Sequence, residues 1–172
     1  SIVASGPNTA NPHAVPSDRV IEKGDFVLMD YGAGYCDYRS DMTRTVVMGE
    51  PTQEQLDLYA LVRRTHEECV AAIHPGVEGN DIFKLSKKII GDAGYGDYYN
   101  HGLGHGVGID IHELPNFNRS KNIIEVGSVI TMEPGVYLPG VGGVRLEDYG
   151  VVTENGYEPF TKTPHDLHVI DC

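Results

Sequence analysis

The stretch Ile21-Glu-Lys-Gly-Asp-Phe-Val-Leu-Met-Asp-Tyr-Gly32 returns further along the chain as Ile124-Glu-Val-Gly-Ser-Val-Ile-Thr-Met-Glu-Pro-Gly135. Ile, Glu, Gly, Met and the closing Gly coincide at a constant offset of 103, and Asp30 falls opposite Glu133. Upstream of each copy lies a His-x-x-Pro, His13 to Pro16 and His112 to Pro115. A tandem solenoid needs more copies at a shorter period. Two copies, each ending on a carboxylate, predict a duplicated half-domain with pseudo-twofold symmetry and a site between the halves. Five identities in twelve are also within reach of chance, because strand entries share common patterns.

The elements around the repeat follow from local chemistry. Ser1 to Pro16 is rich in Gly, Asn and Pro and reads as a short strand followed by loop. Asp25 to Asp30 is a compact apolar run, a buried strand. Tyr31-Gly-Ala-Gly-Tyr35 supplies turn residues, and Cys36 to Met48, rich in Thr and Val, returns as a second strand. Thr52 with Gln55 forms a capping box for a helix whose inner face is Leu58, Leu61, Val62, Thr65, Cys69 and Ala72. His74-Pro75-Gly76 stops it. A second helix is predicted over 81–92, with Ile82, Leu85 and Ile89 inward. From His101 to Ile170 glycine, proline and β-branched residues predict strands and turns. The class is α+β.

At 172 residues, 40% of them hydrophobic, the chain has room for one domain, 1–172, with a real core. Its apolar runs are far shorter than a membrane span. No basic segment leading into an apolar one opens the chain, so the expected location is cytoplasmic. A net charge of −12 repels phosphates and argues against nucleic acid. Part of that acidity fits a site that binds its own cations; it also fits plain solubility. Cys36, Cys69 and Cys172 make no paired motif and are expected to be free thiols, as in a reducing compartment.

Asp30 and Asp41 are eleven residues apart across the predicted hairpin, and Glu133 and Glu147 repeat the arrangement fourteen apart. Between the pairs runs His101-Gly-Leu-Gly-His105-Gly-Val-Gly108, where glycines allow close backbone approach. Four carboxylates and a histidine make an oxygen-rich set for two divalent cations. Such a set favours manganese, iron or cobalt, admits zinc, and disfavours a thiolate-type structural zinc. By spacing alone, an Asp at a strand end is more often a turn residue and an isolated Glu more often solvated. The glycine run could be a phosphate turn, but it lacks the Lys-Ser/Thr ending of a P-loop.

Five motifs occur in order: Ser40-Asp-Met-Thr-Arg-Thr45, His101 to Gly108, His112-Glu-Leu-Pro115, Met132-Glu-Pro-Gly135 and Arg145-Leu-Glu-Asp148. Together they resemble the signature of the pita-bread metallopeptidases, in the branch that contains prolidase and aminopeptidase P. The resemblance runs from about Ile2 to the C-terminus. It implies a curved antiparallel sheet flanked by helices and two divalent ions, manganese favoured over cobalt, iron or zinc. The ligands it implies are Asp30, Asp41, His105, Glu133 and Glu147. It further implies hydrolysis of peptide bonds before proline in short peptides, by a hydroxide that bridges the metals, with Glu133 shuttling the proton. His112 would hydrogen-bond the carbonyl oxygen. His13, His101, Tyr137 and Arg145 match substrate-side residues, although His13, His101 and Arg145 can equally orient the ligands. Thr43 and Thr45 are expected to pack the hairpin or orient Asp41, and Tyr35 and Tyr38 to pack.

Relatives of this kind carry helices and a further domain upstream of the segment matching Ser1-Ile-Val3, so the chain reads as a catalytic domain truncated at its N-terminus. Removing those helices would bare an apolar face able to pair with a second copy, giving a homodimer. Two other functions stay open: a methionine aminopeptidase on the same ligands, and a peptide-binding module without catalysis.

Overall fold

In the computed structural model, which describes residues 1–171, the repeated stretches become equivalent strands of two similar half-sheets. The first half contains β1 (Ile2–Ser5), a 3-10 turn over Gly6–Ala10, β2 (Phe26–Tyr31), the short hairpin strands β3 (Gly34–Tyr35) and β4 (Tyr38–Arg39), and β5 (Met42–Met48). Two helices follow, α1 (Gln53–Ala71) and α2 (Gly79–Asp92), then a 3-10 turn at Gly96–Tyr98. The second half comprises β6 (Gly104–Gly106), β7 (Glu113–Phe117), β8 (Val129–Met132), β9 (Gly135–Leu138), β10 (Gly142–Arg145) and β11 (Asp148–Thr153), followed by β12 (Gly156–Pro159) and β13 (Val169–Ile170).

Strand order makes the duplication concrete. In the first sheet β1, β2 and β5 are antiparallel neighbours, with β13 parallel on the outer edge of β5. In the second, β6, β8 and β11 are antiparallel neighbours in the corresponding order, with β7 and β12 outside them. A hairpin interrupts each half at the same point: β3–β4 between β2 and β5, and β9–β10 between β8 and β11. The halves meet where Thr43 and Glu147 exchange backbone hydrogen bonds at 3.4 and 3.1 Å.

Helix α1 forms for a local reason, and both helices pack for a global one. The Thr52 hydroxyl accepts from the Gln55 amide, and the Gln55 side chain accepts from the Thr52 amide, the reciprocal cap read from the sequence. Leu58, Leu61, Val62, Thr65 and Cys69 are buried along one face of α1. One core joins Leu58, Val62 and Ile90 to Phe26, Val136, Val144 and Leu146. The other joins Cys69 and Ile82 to Leu103, Phe117, Ile130, Met132 and Val152. Each such side chain, fully withdrawn from water, contributes about 1.5–3 kcal/mol. The two helices thus back both halves, and the carboxylate-bearing strand ends point the other way.

Three details depart from the sequence reading. The strand expected to start at Cys36 begins at Met42, because Cys36 and Asp37 sit at φ 48° and 68° and form the tight turn of the β3–β4 hairpin. The second helix begins two residues earlier than expected, at Gly79. Tyr35 and Tyr38, expected to pack, are 82% and 63% exposed on that hairpin. Cys36 is exposed and Cys69 buried, both free; Cys172 lies outside the described residues. Among the described residues no helix is long and apolar enough to cross a membrane.

Candidate active site

The two halves enclose a cleft of about 840 Å³. Asp30, Asp41, His105, Glu133 and Glu147 all line it, together with His13, His101, His112 and Arg145. Asp30 is the penultimate residue of β2, and Asp41 immediately precedes β5. Glu133 lies just past β8, and Glu147 just before β11. Corresponding strand ends of the two half-sheets therefore supply all four carboxylates.

His105 comes from the middle of β6, which is wedged between β7 and β8. Gly104 permits that fit: a Cβ there would lie 2.2 Å from the Thr131 carbonyl oxygen. The Thr131 hydroxyl accepts from the His105 amide at 3.0 Å. Ring atom Nδ1 lies 2.9 Å from the Gly106 carbonyl, which only accepts, so Nδ1 carries the proton. Nε2 is left with its lone pair facing Asp41 Oδ2 at 3.7 Å and Glu133 Oε1 at 3.5 Å. Burial lowers the His105 pKa, which favours the neutral ring that can ligate. One donor atom each from Asp41, His105 and Glu147 lies within 4.8 Å of the other two.

The carboxylates are crowded and poorly solvated. Burial, reinforced by Asp41 and Asp30, pushes Glu133 up to about 8. Burial and the nearby Asp30 push Asp41 up to about 6. Burial, then Glu133 and Asp41, raise Glu147 well above the usual carboxylate range. The buried positive charge among them is Arg145, whose Nη2 donates to Asp30 Oδ2 at 2.6 Å. One guanidinium against four carboxylates leaves a charge deficit that protons or cations must fill. The donor set therefore fits divalent metal ions.

Around this centre runs a supporting network that sequence reasoning assigned only in part. The Thr43 hydroxyl donates to Glu147 Oε2 at 2.6 Å and accepts from Arg145 Nε at 3.1 Å, so it orients Glu147 rather than Asp41. The Thr45 hydroxyl bonds the Arg145 backbone carbonyl and amide. Tyr137 does not line the cleft; it is buried behind it, its hydroxyl 2.8 Å from both Arg145 Nη1 and His101 Nε2. His101 Nδ1 bonds the Gly102 carbonyl at 2.6 Å, so both of its ring nitrogens are engaged within the protein. Burial and the charge of Arg145 push His101 down to about 4, and the Tyr137 hydroxyl then donates to its Nε2. His13 and His112 are exposed at the rim, with the His112 ring edge-on to His105 at 4.3 Å between centroids. No motif pointed to Thr131, because its partner His105 is distant in sequence.

Residues 1–154 match the model of the metallopeptidase family M24. The chain is 45% identical over 168 residues to the Xaa-Pro dipeptidase of Pyrococcus furiosus, covering 97% of this chain and 48% of that protein. The prolidase structure of Pyrococcus horikoshii superposes with a TM-score of 0.94 at 44% identity, over 96% of this chain and 48% of that one. The X-Pro aminopeptidase structure of Thermotoga maritima superposes with a TM-score of 0.95 at 37% identity, over 98% and 48%. The chain spans about half the length of the curated relatives it matches. It shares the α+β pita-bread fold of these structures. With nine-tenths of its length matched by the family model, the chain belongs to the metallopeptidase family M24.

Proposed function

We propose that residues 1–172 are the catalytic domain of a dinuclear metallo-exopeptidase that cleaves short peptides at the bond preceding proline. The observation that carries this reading is the convergence of four strand-end carboxylates and His105 on one cleft, with Glu133, Glu147 and Asp41 held toward protonation when no cation balances them. Asp30, Asp41, His105, Glu133 and Glu147 would hold two divalent ions. Manganese is favoured by the oxygen-rich donor set, with cobalt, iron and zinc as alternatives. When bound, the ions would lower the pKa of an attacking water and polarise the scissile carbonyl.

The chain's own residues would do the rest. Glu133, which lines the cleft beside His105, would accept a proton from the attacking water and return it to the leaving amine. His112, exposed beside His105, can donate to the carbonyl oxygen as charge develops there. His101 forms a wall for the proline ring, fixed from behind by Tyr137 and Arg145. His13 would contact the substrate from the rim. Relatives named Xaa-Pro dipeptidase and X-Pro aminopeptidase support proline as the residue after the cleaved bond. The free thiols Cys36 and Cys69 fit a cytoplasmic setting, and pairing of two copies through an apolar face belongs to the same reading.

The test is release of free amino acid from Ala-Pro, Ala-Pro-Ala and Met-Ala-Ser by the manganese-loaded protein. Hydrolysis of a proline peptide that is lost in Glu133→Gln is expected, and the preferred length separates dipeptidase from aminopeptidase. Preference for Met-Ala-Ser would overturn the assignment to proline. Undiminished hydrolysis by Glu133→Gln would overturn the mechanism.

A further inference from the structure

Asp148 follows Glu147 along extended backbone, where successive side chains leave opposite faces. Glu147 faces the cleft; Asp148 faces away from it, toward α1 and the segment 163–166. Its Oδ1 accepts from Arg44 Nη2 at 2.7 Å. Its Oδ2 lies 2.6 Å from His165 Nε2 and 3.5 Å from His66 Nε2. His66 rises from the inner face of α1 and is 2% exposed, and among the described residues neither of its ring nitrogens has a hydrogen-bond partner. Buried polar atoms without partners are rare in native proteins, and each calls for a reason. The His66 and His165 rings meet edge to face, 4.8 Å between centroids. One donor atom from each of His66, Asp148 and His165 lies within 4.8 Å of the other two.

We propose that His66, Asp148 and His165 form a separate site for a divalent transition-metal ion of the zinc class, which fastens the C-terminal segment to α1. Two imidazole nitrogens and one carboxylate oxygen suit zinc, cobalt or nickel and are poor ligands for magnesium or calcium. Burial keeps the His66 ring neutral, the form that ligates. Ligand bonds of about 2.0–2.1 Å in a tetrahedron place donor atoms about 3.3 Å apart. The 3.5 Å from His66 to Asp148 already matches that spacing. The 2.6 Å from His165 to Asp148 must widen by about 0.7 Å to reach it. His165 has room to turn, since its side chain is 26% exposed, and water can reach a fourth position from that side.

The surroundings favour and limit the site at once. Tyr59 donates to the His165 carbonyl, Arg44 to the Pro164 and Thr163 carbonyls, and Arg63 to the Asp166 carboxylate. The backbone carrying His165 is therefore already in place, and little ordering is left for an ion to impose. Arg44 fixes the Asp148 carboxylate through its other oxygen, as an outer partner does. Its charge also opposes a cation, so this site binds more weakly than the four-carboxylate cleft.

Zinc uptake decides the matter, measured by equilibrium dialysis and elemental analysis on the native protein, His66→Leu and His165→Gln. Each variant is expected to hold one equivalent fewer than the native protein. His165→Gln alters a partly exposed side chain and covers the case in which His66→Leu fails to fold. A cleft variant, Asp41→Asn with His105→Gln, is expected to bind at least one equivalent of zinc and to hold one equivalent fewer when His165→Gln is added, whatever the cleft itself retains. Equal uptake by the native protein and His165→Gln overturns the proposal. So does a folded cleft variant that takes up no zinc.

Discussion

Replacing Tyr137 by Phe deletes one oxygen and tests whether the cleft is organised from behind. That hydroxyl is 2.8 Å from Arg145 Nη1 and 2.8 Å from His101 Nε2, and the residue is 4% exposed. The Phe ring fills nearly the same volume, so no cavity term enters. Arg145 Nη1 keeps a weaker contact to the Pro12 carbonyl at 3.3 Å, but His101 Nε2 is left buried without a donor. One lost bond to a charged group and one orphaned acceptor together cost about 2–3 kcal/mol. For a domain of this size that lowers Tm by about 4–12 °C. Urea unfolding monitored by circular dichroism would show a lower midpoint with an unchanged slope. In a peptidase assay, KM for a proline peptide should rise more than kcat falls, because the wall that loosens lies behind His101 and not at the ligands. A loss of stability below about 0.5 kcal/mol, the size of an ordinary surface change, would refute the claim that Arg145, Tyr137 and His101 act as one unit.

Three further outcomes follow from the same geometry. In chelator-treated protein, Glu133 with a folded-state pKa near 8 and Asp41 near 6 hold protons that the unfolded chain releases at ordinary carboxylate values. Below about 6.5 the buried His66 and His101, pushed down to about 4, oppose this slope, because the unfolded chain protonates them first; stability should therefore fall most clearly as pH rises from about 6.5 to about 8. Saturating manganese should flatten that slope, read as Tm against pH with and without metal. Gly104→Ala would drive a Cβ to 2.2 Å from the Thr131 carbonyl and push β6 away from β8, costing at least about 2–3 kcal/mol by urea unfolding and weakening metal uptake through His105. Thr52→Ala removes the cap of α1 and should cost about 1 kcal/mol, with no change in metal stoichiometry by elemental analysis.

What the sequence made legible was what depends on nearby residues or on a repeated pattern. The cap at Thr52 and Gln55 is a local device, and it formed as read. The duplicated stretch made its mark because both copies place a carboxylate at the end of a half-sheet's middle strand, β2 and β8. The glycines near Tyr31 misled for a physical reason. Gly32 serves close approach rather than a turn, since a Cβ there would sit 1.8 Å from the Ser40 carbonyl oxygen; the turn itself uses Cys36 and Asp37. Thr43 was read as a partner of nearby Asp41, yet its hydroxyl reaches Glu147 in the other half. His66 carried no signal at all, because Asp148 and His165 come to it only through the tertiary fold.

Anomalous diffraction from crystals equilibrated with manganese would test the central claim most directly, by locating the bound ions without reference to activity. The account predicts two peaks in the cleft, within ligating distance of Asp30, Asp41, His105, Glu133 and Glu147. An empty cleft at saturating manganese, or peaks that avoid Glu133 and Glu147, would contradict it.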